Sequence, residues 1–495
     1  MIKKPLKFSV SIFITFLCLS FASHAFAAGH NRYHFYDDDD TRAKSLFFIG
    51  SNGYFSRYHI AGQERYDSIF AGLAVSSQAQ KPSGLKPPKP GPSYPNDPYY
   101  WSTGSWGQSY ADLWGIKKIG GSAAVWNLYK GDGVKIAIVD TGVLTGQEDI
   151  GANMWRNTKE FFGTPGVDDD GDGYVDDMYG WNFVSNNNNP TDNNGHGSHV
   201  AGIAAADDNN SKGIIGVAPN ATIIPVKVLD QFGSGTIQAV ADGIRYAAKV
   251  GANIINLSLG AANLDSLSIS ILQSAVDFAR SLGDIVVAAA GNSNSDVNKF
   301  SPANLNGVIA VGATDPYDNR AYFSNFGSKL FITAPGVDIL SLGSSQTHIG
   351  TAAPGTSNYY RASGTSMAAP FVSGAIALLL QKYPGASLQF IQQQLANGAV
   401  DLGAPGWDPY YGNGRLNIGA SLGVATQTLQ TTSSSLPTGT STSSSSGVSN
   451  TALDAQLTEI ADKNSIEQAR IAEVKTGATL VLDKSDKQEV SIFNF

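Results

Sequence analysis

The sequence predicts an α/β fold, in which a mostly parallel central sheet lies between two layers of helices. Short apolar runs typical of buried parallel strands alternate with longer helix-like segments between residues 96 and 422. Glycine is abundant, at 54 residues, and only 15% of residues are charged, which favours a large core with tight turns. Polar residues directly follow two of the apolar runs, at the sheet edge where α/β proteins place their chemistry.

The individual elements follow from the spacing and type of the apolar residues. Compact runs rich in Val, Ile and Ala predict strands at residues 134–139, 223–229, 254–259, 285–290 and 308–311. Longer segments with helical spacing predict helices at residues 236–250, 267–282, 366–381 and 388–395. Their alternation along the chain predicts the three-layer α/β/α arrangement.

The first 27 residues have the pattern of a secretory signal peptide. Lys3, Lys4 and Lys7 precede an apolar run at 8–22, and small residues stand at the positions before a cleavage after residue 27. A membrane anchor is the alternative, but the run is short for a span, so we expect no transmembrane anchor in the mature form. The chain is therefore predicted to be exported, to the medium, the periplasm or the cell surface. Its only cysteine, Cys18, lies in the signal, so the mature chain has no disulfide.

Composition divides the rest of the chain into four parts. Residues 28–95 are aromatic and polar and end in a Pro-rich stretch, which predicts a propeptide and linker or, alternatively, a small binding module. Residues 96–422 form the predicted α/β domain. Residues 423–450 are a Ser/Thr-rich linker, and residues 451–495 are a tail of unknown function with a possible helix at 451–475 and strand at 478–482. A net charge of -8 without a basic run excludes nucleic acid as an expected partner, and we expect a monomer.

Three short blocks carry the chemistry. Asp140 lies in the block at 136–142, His196 in the block at 195–202 and Ser366 in the block at 363–370, each beside small residues. Peptide hydrolysis needs a nucleophile, an imidazole that moves its proton and a carboxylate that orients the imidazole, and these three residues supply them. Taken singly, the Asp and the Ser are as well explained as a turn residue and a helix cap.

A fourth residue completes the predicted reaction site. The tetrahedral intermediate of acyl transfer carries an oxyanion, which needs hydrogen-bond donors. We expect the Ser366 backbone N–H and the Asn292 side-chain amide to supply them, because Asn292 follows the apolar strand at 285–290. An Asn that closes a strand-end turn is the alternative. His199, three residues after His196, is predicted to be structural, since no glutamate lies between them as in a metal-binding pair.

With these motifs in the order Asp, His, Ser, the stretch from 96 to 422 resembles the catalytic domain of subtilisin-like serine endopeptidases, the subtilase family (peptidase family S8). The resemblance implies a subtilisin-like fold, and a secreted endopeptidase that acts on protein or peptide substrates through an acyl-enzyme and is made with its own propeptide. It also implies that substrate adds as a strand between two segments. The residues implied to bind substrate are Gly233, Ser234, Gly235, Ser258, Leu259, Gly260, Ala289 and Gly291. Ser198 departs from the family pattern, which has Thr there. The base of the specificity pocket is expected near Lys299–Ser301, where Phe300 would shorten the pocket and Lys299 would give it a charged rim.

Calcium is the expected cofactor, in a structural and not a catalytic role. Carboxylates at alternating positions around a Gly suit a hard cation, although a solvated acidic loop is the alternative. The residues predicted from this spacing are Asp168, Asp170, Asp172 and Asp176. The family resemblance implies a second site at Asp149 and Asn210, with Asn209 as the alternative to Asn210.

Two other classes of protein compete with this interpretation. An adhesion protein on an inactive protease scaffold predicts a missing catalytic residue, and none is missing. A metal-dependent hydrolase built on the acidic cluster predicts immediate loss of activity on chelation. A third hypothesis, that the tail anchors or sorts the protein, concerns only residues 451–495. The sequence does not specify the physiological substrate, the cleavage preference or the processing sites.

Overall fold

The computed structural model describes residues 94–344 and 346–424, together with four strands outside that span, Tyr33–Tyr36, Ala43–Ile49, Phe55–Ala61 and Glu489–Ser491. The predicted signal peptide, nearly all of the predicted linker at 423–450, and the helix and strand predicted at 451–475 and 478–482 lie outside the described residues. Among those described, no helix combines the length and hydropathy needed to cross a bilayer.

The chain divides into two compact units, residues 1–91 and residues 92–495. In the first, strands β1 (Tyr33–Tyr36), β2 (Ala43–Ile49) and β3 (Phe55–Ala61) form an antiparallel sheet in sequence order. The sequence did not predict these strands, because apolar and polar residues do not alternate strictly along β2.

The second unit is built on a seven-stranded parallel sheet, which confirms the predicted α/β class. Its strand order is β13-β12-β10-β8-β4-β6-β5, and every pair is parallel. The strands are β4 (Lys135–Asp140), β5 (Trp181–Asn182), β6 (Thr222–Lys227), β8 (Ile254–Leu257), β10 (Ile285–Ala289), β12 (Val308–Thr314) and β13 (Leu330–Pro335). All but the edge positions are buried, as expected for a sheet covered on both faces.

The helices of this unit, in chain order, are α1 (Pro98–Trp101), α2 (Trp114–Lys118), α3 (Ala123–Trp126), α4 (Thr158–Phe162), α5 (His196–Ala205), α6 (Ile237–Lys249), α7 (Ser266–Ser281), α8 (Thr365–Lys382), α9 (Leu388–Gly398) and α10 (Ile418–Ser421). Helix α5 packs on α8, α6 packs on α7, and both pairs pack against the sheet. Short strands make three smaller sheets, formed by β7 (Ser234–Thr236) with β17 (Glu489–Ser491), β9 (Ala261–Ala262) with β11 (Phe300–Ser301), and β14 (Ile339–Leu342) with β16 (Tyr359–Ala362) and β15 (Thr351–Ala352).

Helix starts differ between the two layers. Helices α6 and α7 are capped by their own side chains, since Thr236 accepts from the amide of Ala239 and Asp265 from that of Ser268. Helices α5 and α8 have no side-chain cap and begin after Gly195 and Gly364. The first amides of α5 and α8 are instead bound by side chains of other segments, since Gly197 donates to the Thr141 hydroxyl, Ser198 to Asp192 and Thr365 to Asn292.

Candidate active site

Asp140 and His196 meet at the carboxyl end of the central sheet. Asp140 is the last residue of β4, and His196 is the first residue of α5. The His196 Nδ1 lies 2.7 Å from Asp140 Oδ1, and both side chains are fully buried. The His196 Nε2 is buried and has no hydrogen-bond partner among the described residues. The carboxylate thus fixes one ring nitrogen and leaves the other free to exchange a proton.

Glycines allow α5 to begin directly against β4. Gly195, before the helix, has φ 100°, a left-handed conformation that other residues adopt at a cost. A side chain on Gly197 would place its Cβ 2.1 Å from the Gly142 carbonyl oxygen. The Gly-His-Gly sequence is therefore explained by the turn into the helix and by its close approach to Asp140.

Ser366 lies in the first turn of α8, and its position is fixed by an exchange of hydrogen bonds with Ser258. The Ser366 hydroxyl donates to the Ser258 carbonyl oxygen at 3.0 Å, and the Ser258 hydroxyl donates to the Ser366 carbonyl oxygen at 2.8 Å. The bond from the Ser258 hydroxyl to the Ser366 carbonyl has a cause in the sequence of α8. Pro370 lies inside α8 and lacks the N–H that would otherwise bond the Ser366 carbonyl, so Ser258 takes its place.

Asn292 has one end of its amide held and the other end free. Its Oδ1 accepts from the Thr365 backbone N–H at 2.9 Å and from the Thr365 hydroxyl at 2.8 Å. These two donors determine which end of the amide is oxygen, and they also satisfy an N–H at the start of α8. The Nδ2 is buried and has no hydrogen-bond partner among the described residues. It is a donor without an acceptor, directly beside the first turn that carries Ser366.

Three buried polar residues that the sequence did not single out support Asp140 and α5. Thr141 donates from its hydroxyl to Asp192 at 2.9 Å and accepts from the Gly197 amide. Asp192 also accepts from the Ser198 hydroxyl at 2.7 Å, so the Ser that replaces the usual Thr keeps a bonded hydroxyl. Lys227 donates to the carbonyl oxygens of Thr141 and Leu229, and burial lowers the pKa of its amine. Their polar side chains gave no periodic signal in the sequence.

His199 is separate from this group. Its Nε2 donates to the carbonyl oxygens of Ile339 and Tyr360, at 3.1 and 3.0 Å. Complete burial lowers its pKa to about 3, so it is neutral at physiological pH. The ring joins α5 to β14 and β16, which is the structural role expected of it.

One of the two segments implied to bind substrate contacts Ser366 directly, through Ser258. Ser258 directly follows β8, and Leu259 and Gly260 lead from it into β9. In the other segment, Gly233 precedes β7, which contains Ser234 and Gly235 and is half-buried.

The pocket walls are at the end of β10. Ala289 is its last residue, and the Gly291 amide donates to the Thr365 hydroxyl. A Cβ on Gly291 would lie 2.8 Å from the ring of Phe300, which is buried, whereas Lys299 is exposed. Of the two residues considered for the pocket base, Phe300 is the one that points inward.

A buried glutamate organises the acidic loop. Carboxylate oxygens of Glu160, Asp168 and Asp170 lie within 4.8 Å of one another. Glu160, from α4, was missed in the sequence because it precedes the loop. Asp172 and Asp176 are not in this cluster: Asp172 accepts from the Tyr174 amide, and Asp176 accepts from the Gly166 amide. Burial and then repulsion from Asp170 raise the pKa of Asp172 to about 6.

The second predicted metal group contains two buried carboxylates. Asp149 accepts from the Asn210 side chain at 2.6 Å and from the Ile214 amide at 2.8 Å. Of the two candidate asparagines, Asn210 is thus the one whose side chain reaches Asp149. Asp97, which the sequence did not suggest, has one buried oxygen without a hydrogen-bond partner among the described residues. Burial raises the pKa of Asp97 to about 7 and that of Asp149 to about 6, and each needs a positive partner to stay ionised.

Comparison with known proteins finds relatives over most of the second unit. The profile of the subtilase family (Peptidase S8) matches residues 131–414. Thermitase from Thermoactinomyces vulgaris is 40% identical over 323 residues, which are 65% of this chain and 97% of thermitase. Subtilisin DY from Bacillus licheniformis is 39% identical over 296 residues, which are 59% of this chain and 92% of that protein.

A solved protease structure is also similar to this chain. A protease from Pseudoalteromonas arctica superposes with a TM-score of 0.54 at 29% identity, over 67% of this chain and 99% of that chain. The profile spans more than half of the chain, and thermitase is matched over nearly its whole length. The chain therefore belongs to the subtilase family and is a subtilisin-like, serine-type endopeptidase.

Proposed function

We propose that this subtilase is an exported endopeptidase that works through the triad Asp140, His196 and Ser366 and an acyl-enzyme intermediate. The observation that carries the proposal is the pattern of unpartnered atoms. In a buried, well-bonded site, the His196 Nε2 and the Asn292 Nδ2 are left without partners. Such atoms are costly to bury, so a free imidazole nitrogen and a free amide donor on two predicted catalytic residues support groups reserved for a reactant.

Acylation begins when the Ser366 hydroxyl turns from the Ser258 carbonyl to the His196 Nε2. The serine oxygen attacks the substrate carbonyl while His196 takes its proton, and Asp140 stabilises the imidazolium. The oxyanion that forms accepts from the Asn292 Nδ2 and the Ser366 backbone N–H. His196 then returns the proton to the leaving nitrogen, the C–N bond breaks and the acyl group remains on Ser366.

Deacylation repeats these steps with water. His196 takes a proton from the water as it attacks the ester carbonyl, and the same two donors hold the oxyanion. The bond to Ser366 breaks, the serine oxygen recovers its proton from His196, and the carboxylic acid product leaves. No group besides the four residues and water is needed for this cycle.

An extended peptide is the substrate that the flanking segments fit. The segment Ser258 to Gly260 contacts Ser366 through Ser258, and the half-buried β7, with Gly233, supplies a second edge of backbone groups. A peptide between them adds as a strand and binds through its main chain, so sequence preference comes from pockets. The Phe300 ring beside Gly291 shortens the pocket next to the reacting bond.

Export and processing complete the proposal. The predicted signal peptide at 1–27 directs export, residues 28–95 act as the chain's own propeptide, and the mature enzyme is a monomer. Calcium stabilises the fold at two groups of oxygen ligands, Glu160 with Asp168 and Asp170, and Asp149 with Asp97. The crowded carboxylates with raised pKa values at the second group support a cation there.

A fluorophosphonate probe, which phosphonylates an activated serine, tests the proposal. We compare the wild type with Ser366→Ala and with Ser373→Ala, a buried serine of the same helix that bonds Asn256. The wild type and Ser373→Ala should be labelled and Ser366→Ala should not. Label on Ser366→Ala, or none on a folded, processed wild type, would refute the assignment. The mass of the labelled species also shows where the ends are trimmed.

A further inference from the structure

The edge strand β7 already has a partner, and it comes from the far end of the chain. Strand β17 pairs antiparallel with β7, with Glu489 opposite Thr236, Val490 opposite Gly235 and Ser491 opposite Ser234. These two strands form a sheet of their own. Strand β17 also lies against β9, the short strand that follows Ser258, Leu259 and Gly260. It therefore contacts both segments that border the substrate cleft.

The direction of β17 relative to the catalytic residues follows from its pairing. The chain just before β7 is tied to the catalytic residues, because the amides of Val228 and Leu229 donate to the Asp140 carbonyl. The other end of β7 leads away into α6. An antiparallel partner of β7 therefore runs, from its N- to its C-terminus, toward the catalytic end. A peptide that pairs with β7 in this direction has its C-terminal end nearest the catalytic residues.

We propose that the C-terminal segment around β17 is a peptide ligand of the chain's own substrate strand and competes there with substrate. The inference rests on the proposed substrate position between β7 and Ser258–Leu259–Gly260 and adds a regulator of that same site. Backbone pairing needs no particular sequence, so three residues suffice to occupy the edge where substrate would pair.

The linker makes so short a ligand effective. The 67 residues from 422 to 488, which include the Ser/Thr-rich segment 423–450, join the end of α10 to β17. A random coil of about that length has a root-mean-square span of roughly 45 Å. Binding within one chain then occurs at a high effective concentration, whereas the same peptide added separately binds weakly. Substrate must displace the segment before it can bind. The apparent dissociation constant of the substrate is therefore raised by the inverse of the fraction of chains in which β7 is free.

Val490→Pro tests this proposal in the full chain. Proline removes a backbone N–H and restricts φ, so it disrupts a three-residue strand. Ser445→Pro, in the middle of the Ser/Thr-rich linker, is the matched control. All three chains carry Ser366→Ala, which prevents self-cleavage, and binding of a fluorescent substrate peptide is followed by anisotropy. We expect Val490→Pro to bind the peptide about tenfold more tightly than the other two. A synthetic peptide of residues 485–495 should reverse that gain. Affinities equal within twofold in all three chains would overturn the proposal.

The same substitutions in the active chain separate this proposal from the proposed function. Val490→Pro should lower KM about tenfold without changing kcat, and Ser445→Pro should change neither. Active chains with equal KM values would reject the C-terminal ligand while leaving the triad intact. Inactive chains that still differ in peptide affinity would reject the triad and leave the ligand in place.

Discussion

The catalytic site and the acidic segment around Glu160 use buried polar groups in opposite ways. At the catalytic site, four side-chain atoms are hydrogen-bonded to the protein, namely Asp140 Oδ1, His196 Nδ1, Ser366 Oγ and Asn292 Oδ1. Three buried atoms have no hydrogen-bond partner among the described residues: Asp140 Oδ2 and, on the reacting side, His196 Nε2 and Asn292 Nδ2. The acidic segment instead gathers carboxylates whose protein partners are nearly all backbone amides.

The difference lies in what each region still needs. Backbone amides share hydrogen bonds with carboxylates but bring no positive charge, so the acidic segment needs a cation to balance it. The catalytic site needs only substrate and water, since its proton carrier and oxyanion donor are side chains of the protein itself. Loss of one side-chain group at the catalytic site should therefore abolish activity, whereas removal of an ion from the acidic segment should lower stability.

Replacement of His196 should have the largest effect. His196→Ala removes the group that moves the proton and should lower kcat by about 10⁶-fold, a magnitude known from subtilisin, a relative of this chain. The matched control is His199→Gln, three residues later on α5, which keeps a donor for the carbonyls of Ile339 and Tyr360. Steady-state kinetics corrected for the folded fraction should show less than a tenfold loss for that control. Equal losses in both variants would mean that the whole helix, not His196, is what matters.

Asn292 should come second. Asn292→Ala should lower kcat by roughly 10²–10³-fold with little change in KM, as the loss of one such donor does in subtilisin. Because Asn292 also caps α8 through Thr365, the control is Asn292→Asp, which keeps an acceptor for Thr365 and replaces the donor by a carboxylate oxygen that repels an oxyanion. An equal or larger loss of kcat in Asn292→Asp assigns the effect to the oxyanion. Recovery of activity in Asn292→Asp would assign the loss of kcat in Asn292→Ala to the lost cap of α8.

These catalytic residues were within reach of sequence reasoning because their surroundings constrain the backbone. Gly195 and Gly197 are required by a left-handed turn and a close approach, so they flank His196 in a recognisable block. The strands were predicted for the same reason, since a parallel sheet covered on both faces demands continuous apolar runs. A strand such as β4 was placed to within a residue or two.

Residues that act through the tertiary fold left no such pattern. Asp192, from a loop, and Lys227, from β6, both bond to Thr141, the residue after Asp140, and this group is assembled only in three dimensions. Asp97 meets Asp149 from a distant part of the chain, and Glu160 joins Asp168 from a preceding helix. The pairing of β17 with β7 was likewise invisible, because edge pairing through the backbone requires almost no sequence.

Removal of calcium should affect stability and leave the chemistry intact. In a Ser366→Ala chain, calcium at 100 times its dissociation constant contributes about 3 kcal/mol, so a chelator should lower the Tm of a domain of this size by roughly 4 °C. Glu160→Gln should reduce that difference, and Asp277→Asn, an exposed carboxylate paired with Arg280, should not. Differential scanning calorimetry with and without chelator makes the measurement. Activity of the unmutated chain that vanishes at once on chelation, well below Tm, would favour a catalytic metal instead.

The smallest expected effect comes from a carboxylate that belongs to neither region. Asp284 lies just before β10, at the opposite end of that strand from Asn292, and is only 5% exposed. One of its oxygens has no hydrogen-bond partner among the described residues, and burial raises its pKa to about 7. The folded chain therefore holds a proton that the unfolded chain has already lost between pH 4 and pH 7. Since folding binds this proton, stability falls as pH rises through that window and is constant above it.

Asp284→Asn removes that pH dependence without a change in size. In a Ser366→Ala chain, the variant and its parent should differ little near pH 4. Above pH 7 the variant should be more stable by about 2 kcal/mol, because it has no charge to bury. Urea titrations at several pH values measure the difference, and Asp277→Asn should show none of this trend. A difference in the free energy of unfolding between variant and parent that is constant from pH 4 to pH 9 would mean that Asp284 stays ionised in the folded chain. In that case its burial, like that of the acidic segment, must be balanced by a positive charge.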